Sequence, residues 1–146
     1  MNLISKITLL SVSIFSLASC SNSVKLDFSY SNIESVAFAV FDNQQNQTIR
    51  PVGENVLETF LNALKSDFDL TEVKNASFTC ARCHYGDGTQ IRIQYKQDKY
   101  SPYFSSGETI VLSADYVETS TGNHVLKNYY HNKIVIDDLY AHFVND

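Results

Sequence analysis

No tryptophan occurs in this chain, and Met1 is its only methionine. An excess of basic residues is also missing: 11 Lys and Arg stand against 16 Asp and Glu, which gives a formal net charge of −5 over 146 residues. Nucleic-acid binding depends on a cationic surface, so the composition predicts no nucleic-acid partner. The length suits one domain, and an apolar fraction of 44% is sufficient for a folded core.

The longest apolar run is too short to cross a membrane. It extends from Ile7 to Leu17 and is interrupted only by Ser and Thr, whereas a bilayer core of about 30 Å needs roughly 20 apolar residues as a helix. Lys6 and the amino terminus place positive charge in front of this run. The pattern is typical of a signal peptide.

The end of the run carries a specific motif. Leu17-Ala18-Ser19-Cys20 resembles the lipobox of bacterial lipoproteins, in which a hydrophobic residue and two small residues precede a cysteine. The resemblance implies that a diacylglyceryl group is attached to the Cys20 sulfur, that cleavage occurs before Cys20, and that the new amine is acylated. The protein would then be attached to a membrane by its lipid. An ordinary secretory signal with a chance cysteine is the alternative.

The residues after Cys20 bear on the location. Ser21 and Asn22 follow it, with no acidic residue at the second position. This pattern resembles that of Gram-negative lipoproteins that are sorted to the outer membrane, where the protein faces the periplasm. We therefore divide the chain into a signal peptide (1–19), a lipidated N-terminus and tether (20–31) and one domain (32–146).

Hydrophobic patterning of residues 32–146 predicts a small α+β domain. We expect an antiparallel β-sheet of about six or seven strands, with one main helix packed on it and a short C-terminal helix. The main helix is predicted over 54–68, where five apolar residues recur at the helical period. The C-terminal helix is predicted over 137–144, with its start at Asp137-Asp138. Strands are predicted over 33–41, 48–52, 77–85, 89–95, 108–116, 117–127 and 133–136.

Two local patterns support the strand predictions. Ile91, Ile93 and Tyr95 alternate with polar residues, which is typical of a half-buried strand. Gly86-Asp87-Gly88 precedes this strand, and Asp-Gly is a strong hairpin signal. We therefore predict a hairpin between 77–85 and 89–95.

The sequence Cys80-Ala81-Arg82-Cys83-His84 admits several interpretations. Outside the cytoplasm, a structural disulfide between Cys80 and Cys83 is the prediction we prefer. The same spacing is that of c-type haem attachment, with His84 as the proximal ligand. The usual distal methionine is missing, although a histidine could replace it (His124, His131 or His142). Zinc binding lacks a second ligand pair, and a thioredoxin-like redox pair lacks a following helix.

Aromatic residues are the remaining surplus, with nine Tyr and nine Phe. Some are difficult to bury on strands, and we predict that they form a binding surface: Tyr100, Tyr103, Phe104, Tyr129 and Tyr130. Tyr suits protein recognition because it offers a large area at low entropic cost.

The expected function follows from these signals together. The sequence has none of the common motifs for hydrolases, phosphate loops, dinucleotide binding or zinc proteases. We therefore expect a membrane-anchored envelope lipoprotein that acts as a non-enzymatic binding module for a protein or cell-envelope partner, without a metal, a catalytic residue or a cofactor. The alternatives are a lipid-anchored c-type cytochrome, with haem c as cofactor, and a thiol–disulfide oxidoreductase.

Overall fold

A computed structural model describes most of the chain beyond residue 25. The described residues are 26–44, 46–70, 73–76 (backbone only), 88–97, 107–119, 122–126 and 128–144. They contain seven strands: β1 (Ile33–Phe41), β2 (Gln47–Pro51), β3 (Val73–Ala76), β4 (Thr89–Tyr95), β5 (Thr109–Leu112), β6 (Tyr116–Thr119) and β7 (Gly122–Leu126). They also contain two α-helices, α1 (Leu57–Asp67) and α2 (Tyr129–Phe143).

The seven strands form one antiparallel sheet in the order β2-β1-β4-β5-β6-β7-β3. Both helices pack on the same face, because the Phe38 ring of β1 contacts Phe60 of α1 and Tyr140 of α2, with ring centroids 5.6 and 5.3 Å apart. The predicted α+β class and its antiparallel sheet are confirmed.

The core lies between this face and the helices, and the sequence pattern explains it. Ile91, Ile93 and Tyr95 of β4 are fully buried there, as the alternation predicts. In α1 the predicted stripe is also buried, with Phe60 and Leu64 at 0% exposure. At about 25 cal/mol per Å² of apolar surface, this stripe stabilises the helix far more than its intrinsic propensity does.

The C-terminal helix is longer than predicted. It begins at Tyr129, so the strand predicted over 133–136 is wrong. Asp137 and Asp138 lie in the middle of α2 and not at its start. Asp137 instead accepts a hydrogen bond from Lys133, one turn earlier, with Nζ and Oδ2 2.7 Å apart.

The predicted hairpin is not the pairing that β4 makes. Over Ile91 to Gln94, β4 is paired with β1 on one edge and with β5 on the other. Hairpin pairing of this stretch with 77–85 is therefore wrong, and the segment 77–85 itself lies outside the described residues.

Residues before the predicted domain boundary at 32 pack on the fold. Phe28 is buried in the core, and Leu26 packs against it. The Tyr95 hydroxyl donates a 2.7 Å hydrogen bond to the Asp27 carbonyl oxygen, and the Lys96 amine donates one of 3.1 Å to the Ser31 carbonyl oxygen. The folded body thus includes residues 26–31, which we had assigned to the tether.

The β2 strand forms one edge of the sheet, and all five of its residues are exposed. The Val52 N–H donates to the Val36 carbonyl oxygen, so Pro51 occupies the adjacent position, whose backbone groups point outward. Pro51, which has no N–H, therefore occupies a position at which any other residue would expose an unpaired N–H to solvent.

Candidate functional site

The structure describes only some of the residues that the sequence singles out. Tyr129 and Tyr130 are described, and they form the first turn of α2. The three histidines considered as distal haem ligands are described as well. Seven further residues lie outside the described part of the chain, and what we predict for them stays a prediction: Cys20, Cys80, Cys83, His84, Tyr100, Tyr103 and Phe104.

The start of α2 is bonded to the end of α1. Asn128 precedes α2 in the left-handed conformation, with φ 62°, which Asn tolerates better than most residues. Its Nδ2 donates to Asp69 Oδ2 at 2.5 Å. The His131 ring donates from Nε2 to the carbonyl oxygen of Asp67, the last residue of α1, at 2.9 Å. These bonds hold the two helix ends together.

Asn132 completes this junction from within the core. Its side chain is fully buried, and both ends of the amide are used. Its Oδ1 accepts from the Asp69 N–H at 3.1 Å, and its Nδ2 donates to the Ala114 carbonyl oxygen at 3.2 Å. Asn132 therefore joins α2 both to the segment after α1 and to the turn between β5 and β6.

The helices run antiparallel and leave a groove between them on the outside of the domain. Asp67 contacts His131 at one end, and Phe60 packs on Phe143 at the other, with ring centroids 5.3 Å apart. The groove is open and has a volume of about 830 Å³. Its floor is apolar and its rim is mostly polar, and the residues that line it are Thr59, Ala63, Ser66, Asp67, His131, Ile134, Val135, Asp138, Leu139, His142 and Phe143.

Large apolar side chains stand exposed beside the groove. Tyr130 is 81% exposed and Ile134 is 60% exposed, and their spacing of four residues places them on one side of α2. The Tyr129 ring packs edge to face on Tyr130, with centroids 5.4 Å apart. We call Tyr130 and Ile134 the apolar ridge. Clustered exposed apolar residues are typical of interaction sites.

The charge in the groove is negative. Asp67 and Asp138 line it, and no Lys or Arg occurs among the described residues that do so. Lys133 lies one residue from the apolar ridge but is held by Asp137, and this hydrogen bond raises the pKa of the Lys133 amine. The groove therefore combines an apolar floor with carboxylates at its rim.

The three histidines considered as distal haem ligands differ in their surroundings. His131 is bonded to Asp67, and His142 is exposed at the groove. His124 of β7 is only 3% exposed, and neither ring nitrogen has a hydrogen-bond partner. Burial lowers the pKa of His124 below 6.5. The stability that the buried neutral ring contributes is therefore fully present above the unfolded-state pKa and is lost as the pH falls through the lowered folded-state pKa.

The opposite face of the sheet holds buried polar groups. Gln90 of β4 donates a 3.0 Å hydrogen bond to the Tyr116 hydroxyl of β6, and both side chains are almost fully buried. The Gln90 Oε1 and the Arg92 Nε are buried without a partner. On this face of the sheet the buried side chains of β4 are therefore polar, whereas those on the core face are apolar.

Two classes of feature are not found in the described part of the chain. No group of three or more His, Cys, Asp or Glu side chains there is placed to hold a metal ion. Among the same residues, no helix has the length and apolar character needed to cross a membrane.

Comparisons of the chain with protein-family models, with curated proteins and with solved structures found no match. The groove and the apolar ridge are therefore interpreted from their own chemistry.

Sequence reasoning missed Ile134 and the groove because it assigned 133–136 to a strand. A signal was present: Val135, Ile136, Leu139, Tyr140 and Phe143 repeat at the helical period. All five are buried or partly buried against the core.

Proposed function

We propose that this protein is a lipid-anchored, non-enzymatic interaction module of the cell envelope, which binds a partner protein in the groove between α1 and α2. The lipobox ending at Cys20 supports the anchor, and the pattern after it favours the outer membrane, facing the periplasm, in a Gram-negative cell. The observation that carries the binding function is the groove with its exposed apolar ridge.

The chemistry of the groove supports a particular kind of partner. The buried side chains of Val135 and Leu139 form an apolar floor, which suits apolar anchors from a partner. Asp67 and Asp138 favour basic side chains beside those anchors. The partner we propose is a protein segment that carries both apolar and basic residues.

The first experiment identifies the partner by crosslinking. A photoreactive side chain is placed at position 134 of the anchored protein and, as a matched control, at position 49. Ile49 is a 47% exposed isoleucine on the edge strand β2, away from the helices. A protein crosslinked from position 134 and not from position 49 is then purified.

Binding to the purified protein supplies the quantitative test. Ile134→Ser should weaken affinity about tenfold or more, as for a typical contact at the centre of an interface, whereas Ile49→Ser should leave it unchanged. Affinity should also fall with rising salt, since the carboxylates contribute. Equal affinities of the two variants would rule out the groove as the binding site.

The spacing of Cys80, Cys83 and His84 supports the second candidate, a c-type cytochrome, and His124 has buried ring nitrogens available for a distal ligand. The intact mass of the protein expressed in an oxidising periplasm separates the candidates. An added haem mass identifies a cytochrome. A loss of two hydrogens that reductant restores identifies a Cys80–Cys83 disulfide. The disulfide is structural if the Cys80→Ser variant still binds the partner. It is the site of an oxidoreductase if the Cys80→Ser variant loses thiol–disulfide exchange activity.

A further inference from the structure

The residues that link the lipid site to the folded body are few. Only residues 21–25 lie between Cys20 and Leu26, the first residue seen to pack on the core. The chain from Cys20 to Leu26 spans at most roughly 20 Å when fully extended.

This reach is short compared with the domain. A folded body of this length has a radius of gyration of about 14 Å, and thus a diameter of about 35 Å. A lipid on Cys20 cannot, therefore, allow the domain to turn freely above the bilayer. The side of the domain that carries Leu26 cannot point away from the membrane, because the far side of the domain lies beyond the reach of the tether.

The side chains and bonds near Leu26 suit that position. Tyr30 is 47% exposed, and tyrosine is favoured at the level of lipid headgroups because its ring is apolar and its hydroxyl polar. Two hydrogen bonds fix the surrounding backbone. The Lys96 N–H donates to the Asn32 carbonyl oxygen at 3.0 Å, and the Asn32 N–H donates to the Ser29 carbonyl oxygen at 2.9 Å. Tyr30 thus stands on a rigid support.

We propose that the surface formed by Leu26, Tyr30 and Lys96 rests on the headgroup region of the membrane, with the Tyr30 ring at the interface. The inference depends on the proposed lipid anchor at Cys20. Charge does not drive the contact, because residues 20–146 carry a net charge of −6, one less than the whole chain through the loss of Lys6. The tether supplies the proximity, and Tyr30 occupies the interface.

The absence of tryptophan makes a direct test available. Tyr30→Trp and Tyr130→Trp each introduce a single fluorescent reporter, the first on the proposed surface and the second on the 81% exposed position of α2. The mature acylated variants are reconstituted in vesicles of phosphatidylcholine, with and without bromine on the acyl chains. Bromine quenches tryptophan only when the ring reaches the bilayer.

The expected result is asymmetric quenching. The Tyr30→Trp variant should lose about half of its fluorescence in brominated vesicles, as for an interfacial side chain, and the Tyr130→Trp variant almost none. The same variants prepared as residues 21–146, without the signal peptide and without Cys20, should show no quenching, since they carry no lipid.

The failures are distinguishable by mass spectrometry of the same samples. If no acyl mass is found on Cys20, both the anchor and this inference are wrong. If the acyl mass is present but the two tryptophans are quenched equally, or neither is quenched, only the inference is wrong.

Discussion

The two helices carry the same apolar spacing but differ in what fixes them. At α1, the intervals i, i+1, i+4, i+5 and i+8 are followed by Val56, which directly precedes the helix, and by Leu57, Phe60, Leu61 and Leu64 within it. In α2, Val135, Ile136, Leu139, Tyr140 and Phe143 follow the same intervals. Each set packs on the core. The first turn of α2, however, is held by hydrogen bonds from Asn128, His131 and Asn132 to residues far away in the chain.

This difference explains why the extent of α1 was predicted and the start of α2 was not. Glu58 lies in the first turn of α1 and Lys65 in its last turn, as the helix dipole favours. The apolar part of α2 begins with three β-branched residues, Ile134 to Ile136, which resemble a strand. Asn128 makes no side-chain cap of the usual kind. The hydrogen-bond partners of Asn128, His131 and Asn132 lie at positions 67, 69 and 114 and depend on the tertiary fold, so no local sequence pattern indicates them.

The largest effect is expected in α1. Phe60→Ala should reduce the free energy of unfolding by about 4 kcal/mol, because a fully buried ring leaves a cavity between Phe38 and Phe143. Urea denaturation measures it. Thr59→Ala, at the exposed neighbouring position, is the control and should change stability by less than about 0.5 kcal/mol. A loss below about 1 kcal/mol for Phe60→Ala would mean that the stripe does not dominate the stability of α1.

The buried amide of α2 comes next. Asn132→Ala should cost about 2 kcal/mol, because the Asp69 N–H and the Ala114 carbonyl oxygen both lose their side-chain partner. The same denaturation series checks the value. A cost near zero would show that hydrophobic packing alone holds α2, which would make the two helices alike.

A smaller effect is expected where the backbone enters α2. Asn128→Ala should cost about 1.5 kcal/mol, since it removes the bond to Asp69 and forces alanine into a left-handed conformation. Asn128→Gly loses the same bond but fits that conformation, so it should be about 1 kcal/mol more stable than Asn128→Ala. Equal stabilities would argue against the left-handed entry to α2.

The smallest effect is expected on the surface of α2. Lys133→Ala should change stability by about 0.3 kcal/mol, because its ion pair with Asp137 is half exposed and spaced at i, i+4. Raising the salt concentration should remove most of the difference. A cost above about 1 kcal/mol would show that α2 depends on surface charge more than on Asn132.

The same division between local and distant signals holds across the molecule. The alternation of β4 predicted its buried face correctly, because each residue's side follows from the pleat. The strands that pair with β4 could not be predicted from its sequence, since long stretches of chain separate β1 and β5 from it. For the site, the exposure of Tyr129 and Tyr130 was expected from the sequence. The groove was not, because it exists only where α2 crosses α1.

Pro51 has a further consequence for the membrane-anchored state that we propose. In that state the copies would be confined to two dimensions, where they collide more often than in solution, and the edge strand β2 is one place where two sheets could join. Outward-facing backbone groups occur there at Gln47, Ile49 and Pro51, and proline supplies no N–H. An incoming strand could therefore pair with both backbone groups of Gln47 and Ile49 but only with the carbonyl oxygen of Pro51. These are too few hydrogen bonds to join two sheets side by side. We therefore expect this short, proline-ended edge to disfavour pairing of two copies through β2.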